Sequence, residues 1–75
     1  MVNRGSIARV PVESSSVASI GYAVEVGTME IEFRSGAVYR YFDVPLEIYG
    51  GFLVAESKGG YFIRAVKGQF GYAKI

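Results

Sequence analysis

The 75-residue chain is predicted to fold as an α+β domain. The expected form is a small three- to four-stranded antiparallel meander packed against one or two short helices, in the order β-β-β-α-α-β. Three observations carry this. Apolar and polar residues alternate at period two through residues 22 to 42, Gly27 and Gly36 interrupt the alternation where hairpins would turn, and beyond Pro45 the apolar period lengthens to that of a helix.

Residues 1–9 show no usable period and are expected to form a flexible arm, with one domain over residues 10–75. Glu13 to Ser16 is a polar cluster suited to opening an edge element. From Ser19 the pattern turns strand-like: Tyr22, Val24 and Val26 alternate with Ala23 and Glu25. After Gly27, Met29, Ile31 and Phe33 alternate with Glu30 and Glu32, which makes an antiparallel hairpin turning at Gly27. Arg34, Ser35 and Gly36 supply a second tight turn, and Val38 to Phe42 is the third strand.

Pro45 suits the first position of a helix, and Glu47 favours its positive dipole end. Ile48, Phe52 and Ala55 follow at i, i+4 and i+7, with Tyr49 and Leu53 beside them, so this stripe should face the sheet. Gly50 and Gly51 cost about 1 kcal/mol each against Ala inside a helix. Close approach of the helix to the sheet or to a second subunit would account for them, with a helix kink as the alternative. Lys58, Gly59 and Gly60 break the pattern, Tyr61, Phe62, Ala65 and Val66 give a short second helix that Gly68 ends, and Phe70, Tyr72 and Ile75 alternate as a last strand. The expected core is Val24, Ile31, Phe33, Ile48, Phe52, Phe62 and Val66.

Composition excludes whole classes of chemistry. The sequence has no Cys and no His, which removes thiol chemistry, disulfides, zinc held by its usual ligands and imidazole acid–base catalysis. No cofactor and no metal site are expected. No apolar run approaches the ~20 residues that cross a bilayer, and residues 1–9 have no hydrophobic signal core, so a cytoplasmic protein without membrane contact is expected. Hydrophobic residues make up 51% of the chain, more than one small core readily hides, which points toward a homo-oligomer.

Charge is unevenly placed. Residues 1–9 carry Arg4 and Arg9 with no acid, residues 10–56 hold all seven acids against Arg34 and Arg40, and residues 57–75 carry Lys58, Arg64, Lys67 and Lys74 with no acid. A basic tail beside an acidic sheet serves either an anion-binding face or internal charge complementarity.

Catalysis is the weakest reading. Ser14, Ser15, Ser16 and Ser57 lack a spaced activating base and suit turn and cap hydrogen bonds, while Glu30 and Glu32 share a strand face and are expected to solvate its outer side. Ser57-Lys58-Gly59-Gly60 is a fragment of phosphate-binding logic without P-loop spacing. Nucleic-acid binding is better motivated. Tyr39 and Tyr41 flank Arg40 on a strand, and rings on a sheet stack on unpaired bases while Arg and Lys neutralise phosphate. The same alternation is satisfied if the two rings belong to the core. The candidate nucleic-acid or nucleotide-binding residues are therefore Tyr39, Arg40, Tyr41, Lys58, Arg64 and Lys67.

An ordered set of residues supports a family resemblance from Arg9 to Tyr72. It runs through Pro11, Val12, Ser14, Ser15, Val17, Ile20, Gly21 and Tyr22, then Ile31, Phe33, Gly36, Val38, Tyr39, Tyr41, Val44 and Pro45. It resumes at Tyr49, Phe52, Ala55, Ser57, Gly59, Tyr61, Phe62, Val66, Lys67, Phe70 and Tyr72. In this set the chain resembles the KTSC domain family, named for a C-terminal extension of some lysyl-tRNA synthetases and found also as stand-alone bacterial and phage proteins. Where the family usually carries Asn the chain has Ile63, and where it commonly carries Arg the chain has Lys67. The resemblance implies an α+β domain without an established activity, and its link to tRNA synthetases favours RNA as a partner. The expected function is a small non-enzymatic binding module for RNA or another nucleotide-bearing partner. The alternative is a phage-type oligomeric protein that sequesters a small nucleotide or inhibits a host protein.

Overall fold

Pairing of the sheet begins one residue inside the expected arm. The computed structural model describes residues 7–75, so the part of that arm in residues 1–6 lies outside the described residues. Arg9 already belongs to a short strand, β1 (Arg9–Pro11), that pairs antiparallel with β2 (Val17–Ala23) through Arg9 opposite Gly21. The chain continues as β3 (Thr28–Phe33), β4 (Val38–Tyr41), α1 (Leu46–Val54), α2 (Lys58–Tyr61), a π-helical turn over Phe62–Val66 and β5 (Tyr72–Lys74). The α+β class stands, with five antiparallel strands in the order β1-β2-β3-β4-β5 rather than three or four.

The hairpin between β2 and β3 corrects the sequence reading. Pairing stops at Ala23 opposite Thr28, and the Ala23 carbonyl accepts from the amides of Val26 and Gly27 at 3.3 and 2.9 Å. Val24 and Val26 therefore sit in the turn, not in a strand. Val24, expected in the core, is 63% exposed. Gly27 and Gly36 do turn the chain with positive φ, 64° and 96°, conformations in which a Cβ would crowd the backbone. Between β4 and α1, Asp43 also takes a positive φ of 55°, a region that Asp enters more readily than most residues. Pro45 caps α1 from an extended conformation instead of occupying its first turn.

Residues facing each other across antiparallel strands share a face, so the register sorts the side chains. One row runs Ile20, Ile31, Tyr39, Lys74; the next runs Tyr22, Met29, Tyr41, Tyr72. Phe52 of α1 and Val66 of the π turn join Val17, Ile20, Met29, Ile31, Tyr41 and Val44 in the buried core. Of the expected core residues, Ile31, Phe52 and Val66 are buried, while Phe33, Ile48 and Phe62 are half-buried against that cluster.

The opposite face carries a different row: Arg9, Gly21, Glu30, Arg40, Ala73. Glu30 was expected to solvate this face, yet it is only 2% exposed. Arg9 Nη1 donates to Oε1 at 2.5 Å, and Arg40 Nε and Nη2 donate to Oε2 at 2.9 and 2.6 Å. Gly21 lies between Arg9 and Glu30 without a side chain, so the guanidinium crosses it. Beside this row, Ser19 Oγ donates to Glu32 Oε1 at 2.8 Å. A carboxylate removed from water needs such compensation, and β1 exists in part to deliver it.

Two further expectations change. Gly51 does mark a close approach, but by Tyr61 of α2 rather than by the sheet, since a Cβ there would lie 2.4 Å from the Tyr61 hydroxyl. Gly59 and Gly60 do not break the chain; they lie within α2, whose N-cap Ser57 accepts from the Gly60 amide. Among the described residues no helix is long and apolar enough to cross a membrane.

Candidate functional site

The strand alternation that puts Tyr39 and Tyr41 on one face of β4 turns them toward the helices. β5 then adds Tyr72 opposite Tyr41, β3 supplies Phe33, and the π turn supplies Phe62. The rings form a continuous group. Centroids lie 5.5 Å apart for Tyr41 and Tyr72, 5.7 Å for Tyr39 and Tyr72, 6.0 Å for Tyr41 and Phe62, and 5.1 Å for Phe33 and Phe62. These are separations at which ring edges and faces attract. Their inner sides bound an open cleft of ≈ 470 Å³ lined by Phe33, Tyr39, Tyr41, Phe62, Lys67, Gly68 and Tyr72.

Lys67 reaches this cleft because of local backbone geometry. Its amide donates to the Phe62 carbonyl at 2.8 Å across five residues, closing the π turn, and Gly68 follows at a φ of 77°. Residues five apart on an ordinary α-helix point about 140° away from one another. The wider turn places Phe62 and Lys67 on one wall. Such π turns recur at functional sites.

The tyrosines divide by how they use their hydroxyls. Tyr22 donates to the Val44 carbonyl and Tyr61 to the Ile48 carbonyl, so both are committed to the fold. Among the described residues, the hydroxyls of Tyr39, Tyr41 and Tyr72 have no protein hydrogen-bond partner. Burial, together with the neighbouring Tyr39 and Tyr72 phenols, pushes the Tyr41 phenol up to about 12. It therefore stays a neutral donor at ordinary pH.

The structure gathers only part of the sequence-derived set. Tyr39, Tyr41 and Lys67 line the cleft. Arg40 lies between the two tyrosines in sequence and so projects from the opposite face, onto Glu30. Lys58 Nζ donates to the carbonyls of Leu53 and Ala55 at 3.2 and 2.5 Å, holding the C-terminal end of α1, and Arg64 stands 5.6 Å from the Tyr61 ring centroid. Phe33, Phe62, Gly68 and Tyr72 were missed as site residues. The signal for Tyr72 was its alternation with Phe70 in the basic tail; for Phe33 and Phe62 it was absent, because their convergence is made by the tertiary fold.

A second, polar hollow of ≈ 370 Å³ is lined by Glu13, Ser14, Ser15, Ser16, Glu56, Ser57, Lys58 and Gly59. Ser14 Oγ accepts from the amides of Ser16 and Val17, and Ser57 Oγ takes the Gly60 amide at 3.0 Å. The Ser57 to Gly60 segment thus spends on its own cap a donor that an anion would need. Among the described residues no group of three or more His, Cys, Asp or Glu is placed to hold a metal ion.

The KTSC domain family model matches residues 13–70. The chain is 46% identical over 61 residues to an uncharacterized protein of Stutzerimonas stutzeri, covering 81% of this chain and 86% of that one. It is 40% identical over 63 residues to a lysine–tRNA ligase of Nostoc sp., covering 84% of this chain but 11% of the ligase. In three dimensions it matches the crystal structure of a KTSC domain protein from Yersinia pestis with a TM-score of 0.90 and 40% identity, over 93% of this chain and 99% of that one.

Proposed function

The chain belongs to the KTSC domain family, and from that premise we propose that it is a non-catalytic binding module for a nucleotide-bearing partner, RNA foremost, with the aromatic cleft as its binding site. One observation carries the reading: five aromatic rings surround an open cleft whose lining, among the described residues, includes the Lys67 ammonium and no acid. A ring-lined cage is also the way proteins hold quaternary ammonium groups. Lys67 argues against that occupant, because a second cation in the cleft would be repelled with no carboxylate to offset it. A planar base with an attached phosphate meets both features, since rings stack on the base and the ammonium attracts the phosphate. The lysine–tRNA ligase relatives carry a region similar to this chain, which is consistent with RNA as the setting.

The test is binding of labelled single-stranded RNA at low salt by fluorescence anisotropy, with Tyr72→Ala as the probe. Tyr72 is 61% exposed, so its ring is removable without opening the core. Tyr72→Ala is expected to weaken binding by about 1–3 kcal/mol, the usual worth of one base–ring stack, while the domain stays folded and melts cooperatively, lowered only by the loss of its ring contacts with Tyr39 and Tyr41. Undetectable RNA and nucleotide binding by the wild type, or binding unchanged by Tyr72→Ala, overturns the proposal.

A further inference from the structure

We infer that the cleft accepts one nucleotide unit, a single base among the rings with a single phosphate on Lys67, and not an extended strand; this rests on the function proposed above. Three observations converge on it. The first is size: ≈ 470 Å³ falls low in the range of about 300–1,000 Å³ spanned by small-ligand pockets, room for one nucleotide within the ring-lined hollow. Proteins that track a strand without sequence preference instead pair a charged groove with successive stacking rings over about 4–16 nucleotides per domain.

The second is charge. Among the described residues, Lys67 is the one cation that lines the cleft. Lys58 is bonded to the end of α1, Arg64 lies against Tyr61, and Arg40 is on the far face of the sheet with Glu30. Lys74 shares the face of Tyr39 in register but does not line the cleft. Among the described residues, no row of cations leads away from Lys67 to guide a second and third phosphate. The third is the uncommitted hydroxyls of Tyr39, Tyr41 and Tyr72. Three donor–acceptor groups at the walls of one ring-lined cleft suit the polar edge of one base, whereas non-selective stacking along a strand uses ring faces alone.

The same chemistry is offered by a free nucleoside monophosphate and by one unstacked residue of an RNA. The experiment titrates both: AMP, UMP and GMP, and single-stranded RNAs from dinucleotide to decanucleotide, across a salt series. Affinity corrected for the number of sites is expected to stay level with RNA length. The slope of log K against log salt should be about −0.7, one phosphate's worth for a single strand. Lys67→Ala should flatten that slope to near zero with melting unchanged, and Lys74→Ala should leave it as it was. Monophosphates binding as tightly as the RNAs identify the free nucleotide as the source, and tighter RNA binding that is level with length identifies a strand residue; either supports the inference. Affinity that climbs with length, with a slope of several phosphates, overturns the single-unit site while nucleic-acid binding stands. No binding of any of these ligands at low salt overturns the function proposed above along with it.

Discussion

Tyr41 shows how one residue belongs to the core and also walls the cleft. Its residue surface is 4% exposed, it contributes to the buried cluster, and its ring still forms part of the cleft wall. The sequence left core and binding as alternatives for Tyr39 and Tyr41, and the structure buries Tyr41 in the core while setting its ring in the cleft wall. Its phenol is raised from 10.0 to about 12, first by burial and then by the Tyr39 and Tyr72 phenols, which fixes the sign of a pH effect. Below the unfolded value the proton is bound in both states and the contribution to stability is full. As pH climbs from that value through the folded one, the unfolded chain releases a proton that the folded chain keeps, and stability falls. Ultraviolet titration by rapid pH jump should therefore lose its last-ionising phenolate in Tyr41→Phe, while Tyr49, also raised by burial, still ionises late. A titration unchanged by Tyr41→Phe at its alkaline end would mean that the cleft wall does not close over Tyr41. The residue scale also explains the fate of Arg40. Alternation that sets Tyr39 and Tyr41 on one face sends Arg40 to the other, so that separation was legible from the strand pattern alone. Its partner Glu30 was not, because burial of that carboxylate depends on Arg9 arriving from a strand of three residues, too short to show a period.

Among the elements, the two adjacent glycines of α1 have opposite roles. Around Gly50 an added Cβ meets nothing within 4 Å, whereas at Gly51 it would meet the Tyr61 hydroxyl at 2.4 Å and Cζ at 3.0 Å. That hydroxyl is held by its bond to the Ile48 carbonyl at 2.9 Å, so it has little freedom to withdraw. Gly50→Ala is expected to stabilise the domain by about 0.5–1 kcal/mol through helix propensity. Gly51→Ala gains the same propensity but loses more to overpacking, about 1–3 kcal/mol, together with the displaced hydrogen bond, for a net loss. Urea midpoints that move the same way in both variants would refute this account of α1 against α2. The helices and tight turns were largely readable, since Gly27, Gly36 and Gly68 all adopt the positive φ that glycine signals. The first hairpin was misread because Tyr22, Val24 and Val26 keep period two straight through the turn, and periodicity carries no information about where pairing ends. The π turn was read as an ordinary short helix for a related reason. One added residue per turn leaves too faint a trace in five residues, yet it sets the place of Lys67.

At the scale of the molecule, part of the apolar excess noted in the sequence is exposed at one end of the sheet. The Gly27 carbonyl accepts the Val44 amide at 2.8 Å, which holds the turn carrying Val24 and Val26 beside the segment carrying Phe42 and Leu46. All four are exposed, Val26 by 67% and Leu46 by 53%. A chain of this length buries only about 60–65% of its unfolded surface, so some apolar exposure is normal, but the bridge brings four large exposed side chains to the same end of the sheet, where a shared apolar surface would favour association. Self-association through this end is the expected consequence, and two copies meeting by the same patch would close into a symmetric dimer. Sedimentation equilibrium should show concentration-dependent dimerisation that Val26→Glu weakens without lowering the melting temperature. Val54→Glu, at the other end of α1 and 81% exposed, should leave it unchanged. A monomer at every concentration into the millimolar range would show that the patch is merely solvated, and equal weakening by both substitutions would show that charge, not the position of the patch, governs association.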